Sequence, residues 1–437
     1  MSAPTAAPVT YDKTRLFWIS SLALCMAGIA NALRANIAAD LQRDYLDPID
    51  RLHSAEMTGA VLGVPFLAFA ITIAVSSPLL DIIGMRLLLP LAALLVPAGM
   101  LVMGFAGQMA SGAGVYGVLW TGAAIAGVGW GLVETVMNPL IAALYAEEKA
   151  AKLNAGHAWW PGGLVIGGLA GVAISNAGID WHWKMGLTII PAIVVLAMSV
   201  GLKYPPTERA AAGVTTGEMF RELLNPMFFV LFLAMFLTAA SELAPGQWVD
   251  LALSRTVHMP GILLLVYVSG LMFLMRHFAG PLVHKLSSIG VLWVSCLGAA
   301  LGLVALSFAN SPVTGLLAAT LWGTGVCYMW PTMLATASER FPRGGALLMG
   351  LMGTAGSLSI QFVLPSMGAI FDNKKIEVAG GETAFKALQG DALNQVLGVA
   401  AQASFRAVAI LPAILLLVFG AIWLYDRSKG GFKPTKI

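Results

Sequence analysis

Apolar stretches of membrane-spanning length alternate with short polar connections along nearly the whole chain. A transmembrane helix needs about 20 predominantly apolar residues. Runs of that kind begin near Leu16, Met57, Leu87, Val115, Leu153, Met185, Met227, Gly261, Val291, Val313, Ala346 and Ser404. They predict an all-α membrane protein with twelve transmembrane helices. An even number of crossings puts both termini on one side.

Composition agrees with the pattern. The 437 residues are 58% hydrophobic and 11% charged, against about 45–50% and 25% for soluble domains. The net charge of +3 reflects loop Lys and Arg and implies no nucleic-acid partner. Alternate connections divide the basic residues unequally. Lys13, Arg15, Arg86, Lys149, Lys152, Lys203, Arg209, Arg221, Lys285, Arg340, Arg343, Arg427, Lys429, Lys433 and Lys436 form a set of fifteen on the side of the termini, against eight opposite. The positive-inside rule therefore places both termini in the cytoplasm. A long outer loop is expected over Phe371 to Ala403. Met1 to Lys13 lacks the basic n-region and small-residue cleavage site of a signal peptide, and the first run is too long to be an h-region, so it is expected to remain as a helix. Cys25, Cys296 and Cys327 all lie in apolar runs, where they suit packing better than a disulfide framework or a metal site.

The polar stretch Lys203 to Leu223, with two prolines and several charges, predicts a linker. It separates residues 1–202 from residues 224–437, each carrying six of the runs. An internal repeat supports the division. Ser77-Pro78-Leu79-Leu80-Asp81 after the second run is answered by Gly280-Pro281-Leu282-Val283-His284 after the eighth, and Met137-Asn138-Pro139 by Met329-Trp330-Pro331. Two pseudo-symmetric six-helix bundles, with a site between them near the midplane, are the expected architecture.

These features resemble the major facilitator superfamily over essentially the whole chain. Ser77 to Arg86 is similar to the family's loop motif, with Asp81, Gly84 and Arg86 in register as gating residues. Glu134-Thr135, Asn138-Pro139, Leu153-Asn154, Arg276 to Gly280 and Trp330-Pro331-Thr332 resemble the fucose, galactose and glucose proton-symporter branch. That resemblance implies a monomeric transporter coupling sugar entry to protons, or to sodium in some relatives, with Glu134 as a protonation or sugar-binding group. Two positions depart from the branch. Ala35 stands where an aspartate is expected after Gly28-Ile29-Ala30-Asn31, and Trp160 stands where a sugar-binding amide is expected.

Glu134 is the most informative residue, because a charge near the middle of a membrane helix costs about 2.5–3.5 kcal/mol on insertion scales and calls for a partner. Arg34, in the first run, is the expected partner. A substrate drawing Arg34 away would leave Glu134 to take a proton, so the two form the expected proton-coupling pair. Asn31 lies one turn from Arg34 and Asn138 one turn from Glu134, each pair on one helix face. With His157, Trp160, Tyr328, Trp330 and Gln361 they complete the expected substrate-binding set, since an indole offers a sugar an apolar face and an N–H. Glu242 is expected to reach headgroup water, with Pro245, Gln247 and Trp248 marking an outer gate. Arg276 and His277 are expected to snorkel toward the cytoplasm. Gly127, Gly129 and Gly131 form no nucleotide loop, because no strand precedes them, and are expected to let helices approach closely.

The chain is therefore expected to be a multi-pass protein of the cell inner membrane, carrying a small molecule, a sugar or sugar derivative, with protons. Its other partners are membrane lipids, and neither a cofactor nor a metal is expected. No activated nucleophile or His-Glu metal cluster at usable spacing suggests an enzyme. Two alternatives are an organic-anion or sugar-acid carrier built on Arg34, and a membrane receptor that does not transport.

Overall fold

In the computed structural model, which describes residues 10–50, 54–253 and 261–437, every regular element is helical, and no strand occurs among the described residues. The main helices are α1 (Lys13–Asn36), α2 (Ser54–Ile83), α3 (Met85–Gly104), α4 (Gly114–Leu144), α5 (Lys149–Asn176), α6 (His182–Ser199) and α7 (Pro226–Leu253). They continue as α8 (Gly261–Arg276), α9 (Ala279–Leu306), α10 (Pro312–Val326), α11 (Met329–Arg340), α12 (Gly345–Ala379) and α13 (Gly390–Ser428). Ten of the described helices are long and apolar enough to cross a membrane. Of the twelve predicted runs, the eighth is the short helix α8, and the tenth is divided between α10 and α11.

Local chemistry sets several boundaries. Asp12 caps α1 by accepting the Arg15 amide at 2.9 Å, which satisfies a donor the helix cannot. Ser311 and Thr314 form a capping box at the start of α10, with Pro312 in its first turn. Gly84 turns the chain between α2 and α3 at a φ of 88°, where a side chain would be strained.

Glycines of α4 allow close packing. A Cβ at Gly127 would meet the Pro65 carbonyl of α2 at 2.5 Å, and one at Gly129 would meet Val96 of α3 at 2.7 Å. The G-x-G-x-G run is thus a packing surface for two neighbours.

Two expected connections differ. The long loop over 371–403 is mostly helical: α12 runs to Ala379, Glu382–Ala387 forms a short helix and α13 begins at Gly390. Charge kept this stretch out of a membrane run, but charge does not oppose helix outside the bilayer. Asp372–Lys375 and Lys374–Glu377 even pair one turn apart. The second difference is in the repeat. Pro78 lies within α2, whereas Pro281 lies in the first turn of α9, a helix that kinks at Ser287 (φ 64°).

Helices α1 to α6 pack mainly among themselves, as do α7 to α13. The two groups meet where α2 lies against α12 and where α5 lies against α8, α9 and α11. The connection between the groups forms two short helices, Glu208–Ala211 and Thr216–Arg221. It ties them at one end of the molecule, here called the linker end. Asp81 accepts from Thr207 at 2.6 Å and from Arg209 Nε at 3.0 Å, and Arg209 also pairs with it through Nη2. Lys149 pairs with Glu208 at 2.7 Å and donates to the Ser338 carbonyl at 3.3 Å. Asn154 donates to Thr332 at 3.0 Å. Of the loop motif, Asp81 thus makes contacts at this end, and Asp81, Gly84 and Arg86 together line a pocket beside the linker.

Candidate substrate cavity between the helix groups

Trp130, Glu134 and Asn138 follow one another at four-residue spacing along α4, which stacks them on one face. Glu134 is 3% exposed. Its Oε2 accepts from Asn138 Nδ2 at 3.1 Å, and Asn138 Oδ1 in turn accepts from His157 Nε2 of α5 at 2.8 Å. The result is a buried file of polar groups from a carboxylate on α4 to an imidazole on α5.

Prolines extend the file to the other helix group. A proline has no N–H, so the carbonyl four residues before it loses its helical partner. Pro161 frees the carbonyl of His157, and Pro331 that of Cys327. Both freed carbonyls are taken by Arg276 at the end of α8. Its Nη1 donates to His157 O at 3.0 Å and its Nε to Cys327 O at 2.6 Å. Its Nη2 pairs with Glu242 of α7 at 2.8 Å, and Glu242 also accepts from the Trp330 backbone N–H at 3.3 Å. Arg276 is 2% exposed, so burial of its charge is offset by three acceptors, on α5, on α7 and at the break between α10 and α11. Pro245 leaves a similar gap in α7, where the indole of Trp322 donates to Ser241 O at 3.1 Å. Helix α7 therefore continues through Pro245.

These groups surround one cavity, whose empty space, mouth included, is ≈ 890 Å³. Its walls carry Asn31, Trp130, Glu134, His157, Trp160, Glu242, Arg276, Trp322 and Trp330, with aliphatic residues of α8 between them. Trp130 stacks on Trp160, centroids 4.5 Å apart and planes 19° apart. Trp130 and Trp330 both neighbour Glu134. The indole N–H groups of Trp130 and Trp330 are buried and turned toward the Glu134 carboxylate, but neither meets it, or any other described group, with full hydrogen-bond geometry. A buried donor left unsatisfied costs about 1–3 kcal/mol, so both are prepared for an acceptor supplied from the cavity.

The sequence-expected residues divide into several groups. Asn31, Glu134, His157, Trp160 and Trp330 line the cavity, and Asn138 stands behind it, holding Glu134 and His157 together. The expected Arg34–Glu134 pair does not form. Arg34 is 4% exposed and packs toward α3, donating to Met100 Sδ at 3.7 Å and to Asn31 at 3.3 Å. Its position on α1 turns it into the amino-terminal group and off the cavity wall. Tyr328 bonds the Met275 carbonyl at 3.1 Å and does not line the cavity. Gln361 is exposed, and the residue beside it, Ile360, lines the cavity in its place.

Glu242 and Arg276 reverse the expectation made for them. Neither reaches headgroups or snorkels; each is the other's buried partner. For Gln247 and Trp248 the expected gate lies outside the described side chains. Trp130 and Arg276 were missed as cavity residues. A signal for Trp130 was present, since it lies one helical turn before Glu134. The signal for Arg276 was indirect, in the two prolines that leave carbonyls in need of a donor.

The chain matches the family model described as the Major Facilitator Superfamily over residues 16–363. Among curated proteins none matches the sequence. Solved structures share its fold. The proton:xylose symporter XylE, bound to 6-bromo-6-deoxy-D-glucose, superposes with a TM-score of 0.72 at 15% identity, covering 94% of this chain and 95% of that one. The E. coli fucose:proton symporter FucP gives 0.61 at 16% identity over 91% and 99%. The human organic anion transporter MFSD10 gives 0.66 at 13% over 94% and 100%. At such identities the likeness establishes the fold and leaves the substrate open.

Proposed function

Because the chain belongs to the major facilitator superfamily, we propose that it is a secondary transporter working by alternating access, importing a neutral sugar or sugar derivative together with a proton. In this reading residues 1–202 and 224–437 are two six-helix bundles joined by the linker at 203–223. The twelve crossings leave both termini in the cytoplasm of a cell whose inner membrane holds the protein as a monomer. The linker end is then the cytoplasmic end, closed here, with the cavity awaiting substrate from outside.

The observation that carries the reading is a buried carboxylate flanked by two indole N–H donors that point at it without a well-formed hydrogen bond. A hydroxylated ligand gives oxygen acceptors to Trp130 and Trp330 and an apolar face to the Trp130–Trp160 stack. Glu134 then carries the proton, its remaining partners being hydrogen-bond donors that hold the carboxyl group in place. One charge moved through 100 mV is worth about 2.3 kcal/mol, enough for roughly 50-fold accumulation at 1.4 kcal/mol per decade.

Charge also favours a neutral substrate. Among the described residues, Glu134 and Glu242 face the cavity with Arg276, while Arg34, on which an anion carrier would depend, is turned away from it. Fucose and xylose symport by proteins of the same fold is consistent with this choice.

The test is thermal stabilisation of the purified chain by a panel of neutral hexoses, pentoses and acidic sugar derivatives, since a ligand that binds only the folded state raises its Tm. A rise with a neutral sugar, followed by pH-driven uptake of that sugar in proteoliposomes, supports the reading. A rise confined to anions transfers it to an anion carrier. Binding without flux makes the chain a receptor.

A further inference from the structure

Arg276 occupies a cage that has the composition of a monovalent-cation site. Two backbone carbonyls, of His157 and Cys327, and one carboxylate, of Glu242, converge on its guanidinium at 3.0, 2.6 and 2.8 Å. Both carbonyls are free because a proline stands four residues later, at Pro161 and Pro331. Interrupted helices whose released carbonyls meet a carboxylate near a substrate site are how secondary transporters coordinate a coupling ion. Hard monovalent cations are held by oxygens of this kind.

We propose that Arg276 is a tethered cation occupying this oxygen cage, so that the chain carries its own positive charge where a sodium-coupled carrier would bind the ion. Two consequences follow. The first is selectivity: with the cage filled, sodium has no place in it, and coupling is left to the proton on Glu134. The second is mechanical. Glu242 and Cys327 belong to the carboxy-terminal group, but His157 belongs to α5 in the amino-terminal group. The Nη1 bond to His157 O therefore crosses between the groups and must break when they separate at the linker end. Arg276 is a positioning residue: it holds the closed linker end by satisfying a carbonyl that Pro161 has left without a partner. Three of its five N–H groups are used in this way, and Arg276 also lines the cavity.

The inference rests on the transporter reading for its biological meaning, but its test requires neither substrate nor transport. The Tm of the purified native chain and of Arg276→Ala is measured in sodium, potassium or millimolar guanidinium chloride, with choline chloride as control at equal ionic strength. The native chain is expected to show equal Tm in sodium and choline. Arg276→Ala, with the cage vacated, is expected to show a rise in Tm with sodium or guanidinium over choline. Equal Tm for the variant in every salt overturns the proposal, as does a sodium-specific rise in the native chain.

If Arg276→Ala does not accumulate, two milder variants decide. Arg276→Lys keeps the charge but cannot span both carbonyls, and Pro161→Ala returns an N–H to the His157 carbonyl. Ser338→Cys, at the closed linker end, reports opening through thiol labelling, and the three native cysteines are buried. Both variants are expected to label several-fold faster than the Ser338→Cys parent. Labelling at the parental rate in both overturns the proposal.

Discussion

Asn138 donates its amide N–H to Glu134 across one turn of α4, at 3.1 Å, while its carbonyl oxygen accepts from His157 at 2.8 Å. The carboxyl group is thereby fixed whichever charge it carries, because the amide is itself anchored from a second helix. Glu134→Gln keeps the shape and an acceptor oxygen for Asn138 but cannot take up or release a proton. It is expected to retain substrate binding and substrate exchange and to lose uptake driven by a pH gradient. Counterflow and gradient-driven uptake in the same proteoliposomes separate the two. Gradient-driven uptake at the native rate would remove Glu134 from the coupling role.

Among the described residues, Trp130 and Trp330 bring to the cavity indole donors that lie near Glu134 without a well-formed hydrogen bond. Trp130→Phe and Trp330→Phe delete each N–H and retain an aromatic ring. A net hydrogen bond is worth about 0.5–1.5 kcal/mol, so each variant is expected to bind the substrate about 2- to 12-fold more weakly, by titration calorimetry or by KM. Unaltered affinity in both would mean that the ligand does not meet these donors.

Asp81 closes the linker end through Thr207 and Arg209. Asp81→Asn leaves the hydrogen bond to Thr207 possible but removes the charge that balances Arg209, whose side chain is 8% exposed. Breaking one partner of a buried pair costs about 3–5 kcal/mol, and the 18% exposure of Asp81 reduces that to about 1–3 kcal/mol. A lower Tm and faster labelling of Ser338→Cys are expected together. A lower Tm with unchanged labelling would confine Asp81 to stability.

Asp44 lies outside the membrane-spanning helices, between α1 and α2. Hydrogen bonds from Arg43 first, and then from Trp181 at 2.9 Å, hold its carboxyl below the ordinary carboxylate value of 3.8. A depressed carboxylate contributes stability that is complete above its ordinary value and is lost as pH falls through the lower folded value. The tie between Asp44 and Trp181 is therefore expected to persist at neutral pH and to weaken only below about pH 4. The Trp181 fluorescence, obtained by difference from Trp181→Phe, follows it. A transition well above pH 4 would show that the tie does not depend on Asp44.

Several site features were legible because they are local. Glu134 stands out by its charge alone, and Asn138 by its spacing from it. His157 and Trp160 follow from their place in the run next to Pro161. Arg34 shows the opposite case. It has the same kind of charge, buried to nearly the same degree as Glu134, yet the way α1 is rotated against α3 sends it to Met100 and away from the carboxylate. Gln361 and Ile360 differ by a single step around α12, and that step decides which of them faces the cavity. Glu242 and Arg276, 34 residues apart, gave no sequence sign of being partners.

The sequence by itself determined the helical fold and its polar exceptions, because membrane burial requires long apolar runs and makes every charge within them costly. It also determined where helices could not complete their own hydrogen bonding, since a proline removes one donor wherever it stands. Tertiary structure alone decided which side chain meets each of those gaps. The rotation of each helix about its axis and its approach to the others brought Arg276 to the carbonyls of His157 and Cys327, took Arg34 away from Glu134 and left the donors of Trp130 and Trp330 near Glu134 at the cavity wall. Rotation and approach are set by packing among helices distant in the chain, and packing is a property of the assembled surfaces.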